Sequence, residues 1–199
     1  MTLSDRIEQL FQDQQHSQQR ARESLSEVIV RAAELIFSRI IQGQKLLVCG
    51  NGGAAALAQL FTANMLYCFE EQRPGLPALA LSADCATLTA IASGDSMDEV
   101  YARQIGALGQ PGDLLLLISP RIEPINLMRA VQEAQEREMG IIALTGASDD
   151  GSASELARLL GPDDLAIPVL DPSDPRLLET QLFIIHCLCD LIDRQLLGH

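Results

Sequence analysis

The stretch 45–59, KLLVCGNGGAAALAQ, decides how the rest of the chain is read. Apolar residues at 46–49 stop at Gly50-Asn51-Gly52-Gly53, and Ala54, Leu57, Ala58 and Phe61 follow at helical spacing. That pattern predicts strand, tight turn, helix. A glycine-rich turn at such a junction lets backbone N–H groups approach an anion, and the amino end of the helix adds partial positive charge. Asn51, Gly52 and Gly53 are therefore candidate ligands of a small anionic group. The turn lacks GxGxxG spacing and the lysine of a nucleotide P-loop, so a compact turn that binds nothing stays equally open.

Four more short apolar runs with strand character stand at 78–81, 114–118, 141–144 and 165–169. Helical patterns at 54–69, 97–108, 125–138 and 152–160 alternate with them. Near-continuous apolar strands separated by helices predict an α/β fold, a three-layer α/β/α sandwich on a five-stranded, mostly parallel sheet. Ligands of such sheets sit outside the carboxyl ends of the strands, which singles out the loops 50–54, 82–86, 119–124 and 145–151.

The first forty residues read as helix. Leu3, Ile7, Leu10 and Phe11 form one apolar stripe, and Leu25, Val28, Ile29, Ala32, Ala33, Leu35, Ile36 and Ile40 form a second. Between them 12–23 is almost wholly polar, which fits a turn or a solvated helix. The first stripe would project from the body and need cover, which self-association supplies. Residues 1–43 are thus expected to be a helical oligomerisation segment and 44–199 the α/β core, within one domain. The last helix, 176–197, carries LFIIHCLC at 182–189 and asks for cover on several sides.

With 199 residues, 47% of them hydrophobic, the chain can bury a sizeable core without a linker. A formal charge of −13 argues against binding DNA, RNA or anionic membrane. The polar start TLSDRIEQLFQDQQ is unlike a signal peptide, and no apolar run reaches the ~18 residues of a membrane span, so a cytoplasmic protein is expected. Five cysteines, at 49, 68, 85, 187 and 189, lack CxxC spacing and read as reduced thiols, several of them buried. Three histidines, His16, His186 and His199, two of them near the ends, do not make a three-histidine metal site.

Several dispersed motifs add a resemblance that spans nearly the whole chain. CGNGGAA (49–55), FEEQRPGLPALALSAD (69–84), ALGQPGDLLLLIS (107–119), ALTG (143–146), LLGPDDLAI (159–167) and HCLCDLID (186–193) are similar to the sugar isomerase (SIS) family of phosphoheptose isomerases. Within it they resemble the branch of DnaA initiator-associating proteins. The resemblance implies a sugar-phosphate site at the glycine turn and at a second loop, S-T-S-G-N-S. In the true isomerases it also implies zinc, held by histidine and glutamate on the first helix of the core and by glutamine and histidine on the last.

At those four positions this chain has Leu60, Asn64, Leu178 and His186. Leucine has no lone pair for a metal, and an amide offers no base near neutral pH. No catalytic residue, metal or cofactor is therefore expected. The second loop reads Ser119-Pro120-Arg121-Ile122-Glu123-Pro124, with two backbone donors lost to proline and a carboxylate at the helix entrance. Ser119 and Arg121, with Asn51, Gly52 and Gly53, are what remains of a phosphosugar site, and Ser82, Asp84 and Thr87 could still reach a sugar hydroxyl. The family's serine after the glycine turn is Ala54 here.

The implied function is a catalytically silent homotetramer that binds a DnaA-type replication initiator, with Leu196 and Leu197 as the partner-binding pair. A phosphoheptose isomerase, another phosphosugar isomerase, or a regulator that binds a sugar phosphate are the alternatives.

Overall fold

The computed structural model describes residues 1–119, 124–147, 154–171 and 173–198. Five strands, β1 (Leu46–Gly50), β2 (Ala78–Ala80), β3 (Leu114–Ile118), β4 (Gly140–Gly146) and β5 (Leu165–Val169), form one sheet in the order β2-β1-β3-β4-β5. All the pairings are parallel. Register places Leu46 beside Leu114 and Val48 beside Leu116, so like faces align across the centre of the sheet.

Alternate side chains serve two separate cores. Leu46, Val48, Leu114, Leu116, Ile142 and Leu144 pack under the helices α1 (Leu3–Ile41), α2 (Gly53–Leu66) and α7 (Asp174–Leu197). Leu47, Cys49, Leu115, Leu117, Ile141 and Ala143 pack under α3 (Cys85–Gly94), α4 (Ala102–Leu108), α5 (Ile125–Glu136) and α6 (Glu155–Leu159). Because both faces are covered, the central strands carry no polar alternation in the sequence. The edges behave differently: Leu79 of β2 is exposed, and Pro168 falls in β5, where one side of the strand has no ladder to serve.

The polar stretch 12–23 turns out to be helix, solvated except along Ser17 and Ala21, since α1 runs unbroken for 39 residues. Thr2 and Asp5 form a capping box at its start. From Ser17 onward α1 contributes to the core through Ala21, Leu25, Ala32, Ala33 and Ile36, while Leu3, Ile7 and Phe11 stand exposed.

Two elements differ from expectation. Helix α3 occupies a segment in which only the loop 82–86 was singled out, started by Asp84, whose carboxylate accepts from the N–H groups of Ala86 (2.9 Å) and Thr87 (3.3 Å). The segment 97–108 is a 3-10 turn (Met97–Glu99) capped by Ser96, then the separate α4, rather than one helix. Among the described residues, no helix is long and apolar enough to cross a membrane.

Candidate functional site at the sheet crossover

In the order β2-β1-β3-β4-β5 the chain leaves β1 toward one edge and β3 toward the other, so the crevice between their carboxyl ends is the place for a ligand. The glycine turn borders that crevice. Gly52 has φ 55°, a left-handed value that a Cβ would strain, and a Cβ on Gly50 would lie 2.8 Å from the Ile118 carbonyl oxygen. Both glycines are thus required by geometry. Gly52 and Gly53 are exposed at the start of α2, where first-turn N–H groups have no acceptor within the helix.

Asn51 does not face outward as a free ligand. Its amide forms a reciprocal pair with Asn126 at the start of α5, with N–H to O distances of 2.8 and 3.2 Å. Tyr101 donates its hydroxyl to the Gly50 carbonyl (2.5 Å) and reaches the Asn51 side-chain oxygen (3.1 Å). Burial pushes the Tyr101 phenol well above its ordinary pKa, so it remains a donor throughout the accessible pH range. These three side chains bridge the crevice and fix the turn.

Ser119, at the end of β3, is fully buried, with its N–H on the Leu144 carbonyl and its own carbonyl accepting from Gln181 of α7 (2.8 Å). Arg121 and the rest of 120–123 lie outside the described residues. Asp84, set out above as a possible contact to a sugar, is engaged as the α3 cap and accepts from the Thr87 hydroxyl at 2.6 Å. That hydroxyl bond, with the backbone N–H bond from Thr87, holds the Asp84 carboxyl below its usual range. Ser82 is buried, its hydroxyl on the Ala55 carbonyl.

What remains open is a cavity of about 150 Å³, lined by Asn51, Gly53, Ala54, Asp174, Leu178 and Gln181 among others. Leu178 lies against the turn so closely that a Cβ on Gly53 would meet its Cδ2 at 2.6 Å. The described lining carries one carboxylate, Asp174, and no cation. Gln181 is fully buried and its Oε1 has no hydrogen-bond partner, an acceptor suited to a hydroxyl or a water.

The positions that the resemblance assigns to zinc do not fit the metal. Leu60 is exposed, the Asn64 amide donates to the Cys189 sulfur (3.9 Å), and His186 stacks at 5.3 Å on Phe69. Among the described residues no group of three or more His, Cys, Asp or Glu side chains is close enough to hold a metal ion. Only His186 of the four could donate, and one ligand does not define a site.

The pair expected to bind a partner is divided. Leu196 is half-buried against the α1/α2/α7 core, and Leu197 is 36% exposed. Tyr101, Asn126 and Gln181 were not singled out in the sequence. A glutamine just ahead of the apolar run 182–189 was the one local signal; the other two owe their roles to partners at least fifty residues away.

The SIS domain profile matches residues 9–146. The DnaA initiator-associating protein DiaA of Photorhabdus laumondii is 47% identical over 197 residues, covering 99% of this chain and 98% of the relative. A phosphoheptose isomerase of Thiobacillus denitrificans is also 47% identical, over 198 residues, covering 100% and 98%. The solved structure of a phosphoheptose isomerase from Francisella tularensis superposes with a TM-score of 0.89 at 36% identity, covering 98% of this chain and 100% of that one.

Proposed function

The chain belongs to the SIS domain family, and on that premise we propose that it is a catalytically silent member that assembles with itself and binds a DnaA-type replication initiator. Sequence identity does not choose between the two named activities of its relatives, because both stand at 47%. The site chooses. Leu178 occupies the space over the glycine turn, and leucine or asparagine stands at three of the four metal positions, so neither a Lewis acid nor a general base is supplied where isomerisation needs one.

Self-association is supported by an open groove of about 800 Å³ between α1 and α7. Its walls include Phe11, Ile29, Val30, Phe69, Phe183 and Leu191, and Phe183 is 54% exposed. An apolar surface of this kind on an otherwise acidic chain suits a second copy better than water. A homotetramer is the expected assembly. The acidic surface then favours a protein partner with basic residues over direct contact with DNA.

The unpartnered Gln181 oxygen favours one further reading, a regulator that holds a hydroxylated small molecule such as a sugar phosphate in the remaining cavity. Mixing the purified protein with sedoheptulose 7-phosphate, and following both binding and turnover, separates the cases. Neither signal is expected; binding alone would favour the regulator, and turnover would overturn the silent reading.

A further inference from the structure

An isologous contact closes at two copies, so a tetramer built on two-fold axes needs a second, different surface besides the α1/α7 groove. The sheet ends at β2, whose outer side has no strand beside it among the described residues. Folded proteins guard such an edge with charged side chains, with proline, or by covering it. Here 74–83, PGLPALALSA, holds no charge, Pro77 stands just ahead of the strand, and Leu79 is exposed.

The helices on either side of that edge are equally free of charge. Helix α2 has no charged residue and exposes Ala56, Leu60, Ala63 and Tyr67 along one face, with Leu66 57% and Tyr67 68% exposed. Gln59 of α2 donates to the Ser82 carbonyl (3.3 Å), and the Leu76 N–H meets the Met65 carbonyl (2.8 Å), which sets the flank of α2 against the β2 segment. On the other face of the sheet α3 has no charge from Cys85 to Gly94 and buries none of its residues. The hydroxyls of Thr89 and Ser93 donate to the Cys85 and Thr89 carbonyls within the helix, so its outer face asks little of water. Of the charged residues between 51 and 94, Arg73 is buried on Asp193, Asp84 caps α3, and Glu70 and Glu71 lie beside the end of α7.

Charge decides the occupant. At −13 the chain repels another copy of itself, and two copies can close only where both present a surface without like charges. A basic partner, by contrast, finds no carboxylate to pair with on this face. We infer that the β2 edge, with the outer faces of α2 and α3, is the second self-association surface, and that the same surface of another copy covers it. The inference rests on the reading that the protein assembles with itself, and it adds the contact that takes dimers to a tetramer.

The test is sedimentation velocity of the full-length protein at micromolar concentration, on wild type, Tyr67→Glu, Ala90→Glu, Phe183→Glu, and Tyr67→Glu combined with Phe183→Glu. Tyr67 and Ala90 are exposed on separate helices, so each variant keeps the fold and checks the other, with circular dichroism as the control. Tyr67→Glu and Ala90→Glu should each give a species of half the wild-type mass held by the groove. Phe183→Glu should give a dimer held by the edge, and the combined variant should be a monomer. Edge variants that keep the wild-type mass overturn the edge surface, and self-association still stands if Phe183→Glu lowers that mass. A wild-type dimer that the edge variants split and Phe183→Glu leaves whole keeps the edge surface and removes the groove. A wild-type monomer overturns both.

Discussion

Replacing Arg73 by methionine tests how the fold joins the end of α2 to the end of α7. The Arg73 side chain is fully buried and meets Asp193, 120 residues away, at 2.5 Å. It also donates to the carbonyls of Met65 (2.9 Å), Pro74 (3.1 Å) and Asn64 (2.9 Å). The first and last of these belong to the final turn of α2, whose carbonyls have no partner within the helix. Removing one member of a buried pair typically costs about 3–5 kcal/mol, because the other charge is left uncompensated. With a urea slope of about 2 kcal/mol per molar, the midpoint should fall by about 1.5–2.5 M. Arg73→Met combined with Asp193→Leu removes both charges and should recover most of the loss. The remainder, on the order of 1 kcal/mol, reflects the Asn64 and Pro74 carbonyls that lose this donor, while the Met65 carbonyl keeps the Leu76 N–H at 2.8 Å. The measurement is urea unfolding by circular dichroism at one fixed protomer concentration, since assembly shifts apparent stability. A loss below about 1 kcal/mol for the single variant, or a double variant no more stable than the single, would refute the buried-pair account.

Three further outcomes are expected. Leu197→Ala should weaken initiator binding strongly, by about 2 kcal/mol, at unchanged melting temperature, whereas Leu196→Ala should also lower stability because Leu196 packs on the core; equal effects of the two would contradict that division. Ile7→Glu places a charge on the exposed stripe of α1 and should shift sedimentation toward smaller species, and an unchanged profile would remove this stripe from the interface. At pH 8 a thiol reagent should label exposed Cys85 fast and spare Cys49 and Cys189, the latter pushed by burial to a pKa of about 12; Cys187, on the α1/α7 groove, should react only where dilution opens that groove.

The sheet was legible because its strands are short apolar runs covered on both faces, and 114–118 was bounded to the residue. The glycine turn was legible as a turn, since Gly50 and Gly52 answer a close approach and a left-handed φ. Helix α3 was hidden because CATLTAIASG has weak periodicity and none of its residues is buried; its cap, Asp84, resembled a ligand for the same chemical reason that it caps. The direction of Asn51 could not be read locally, because Asn126 stands 75 residues away. The pairing of Arg73 with Asp193 was equally beyond a local pattern.

The length of α1 has a consequence for how the protein responds to dilution. Its 39 residues span about 58 Å, yet none ahead of Ser17 is buried. Those leading turns are held by the capping box and by side-chain bonds such as Gln9 to Asp13 and Gln12 to Glu8, each worth a few tenths of a kcal/mol. An isolated helix of about 12–15 residues is marginal in water. On the proposed self-association, winding of this segment and its coverage by another subunit become a single equilibrium governed by mass action. Helical signal from roughly the first fifteen residues will rise with protein concentration, and a protease that cuts after Arg6 will find its bond open in dilute solution and closed in concentrated solution.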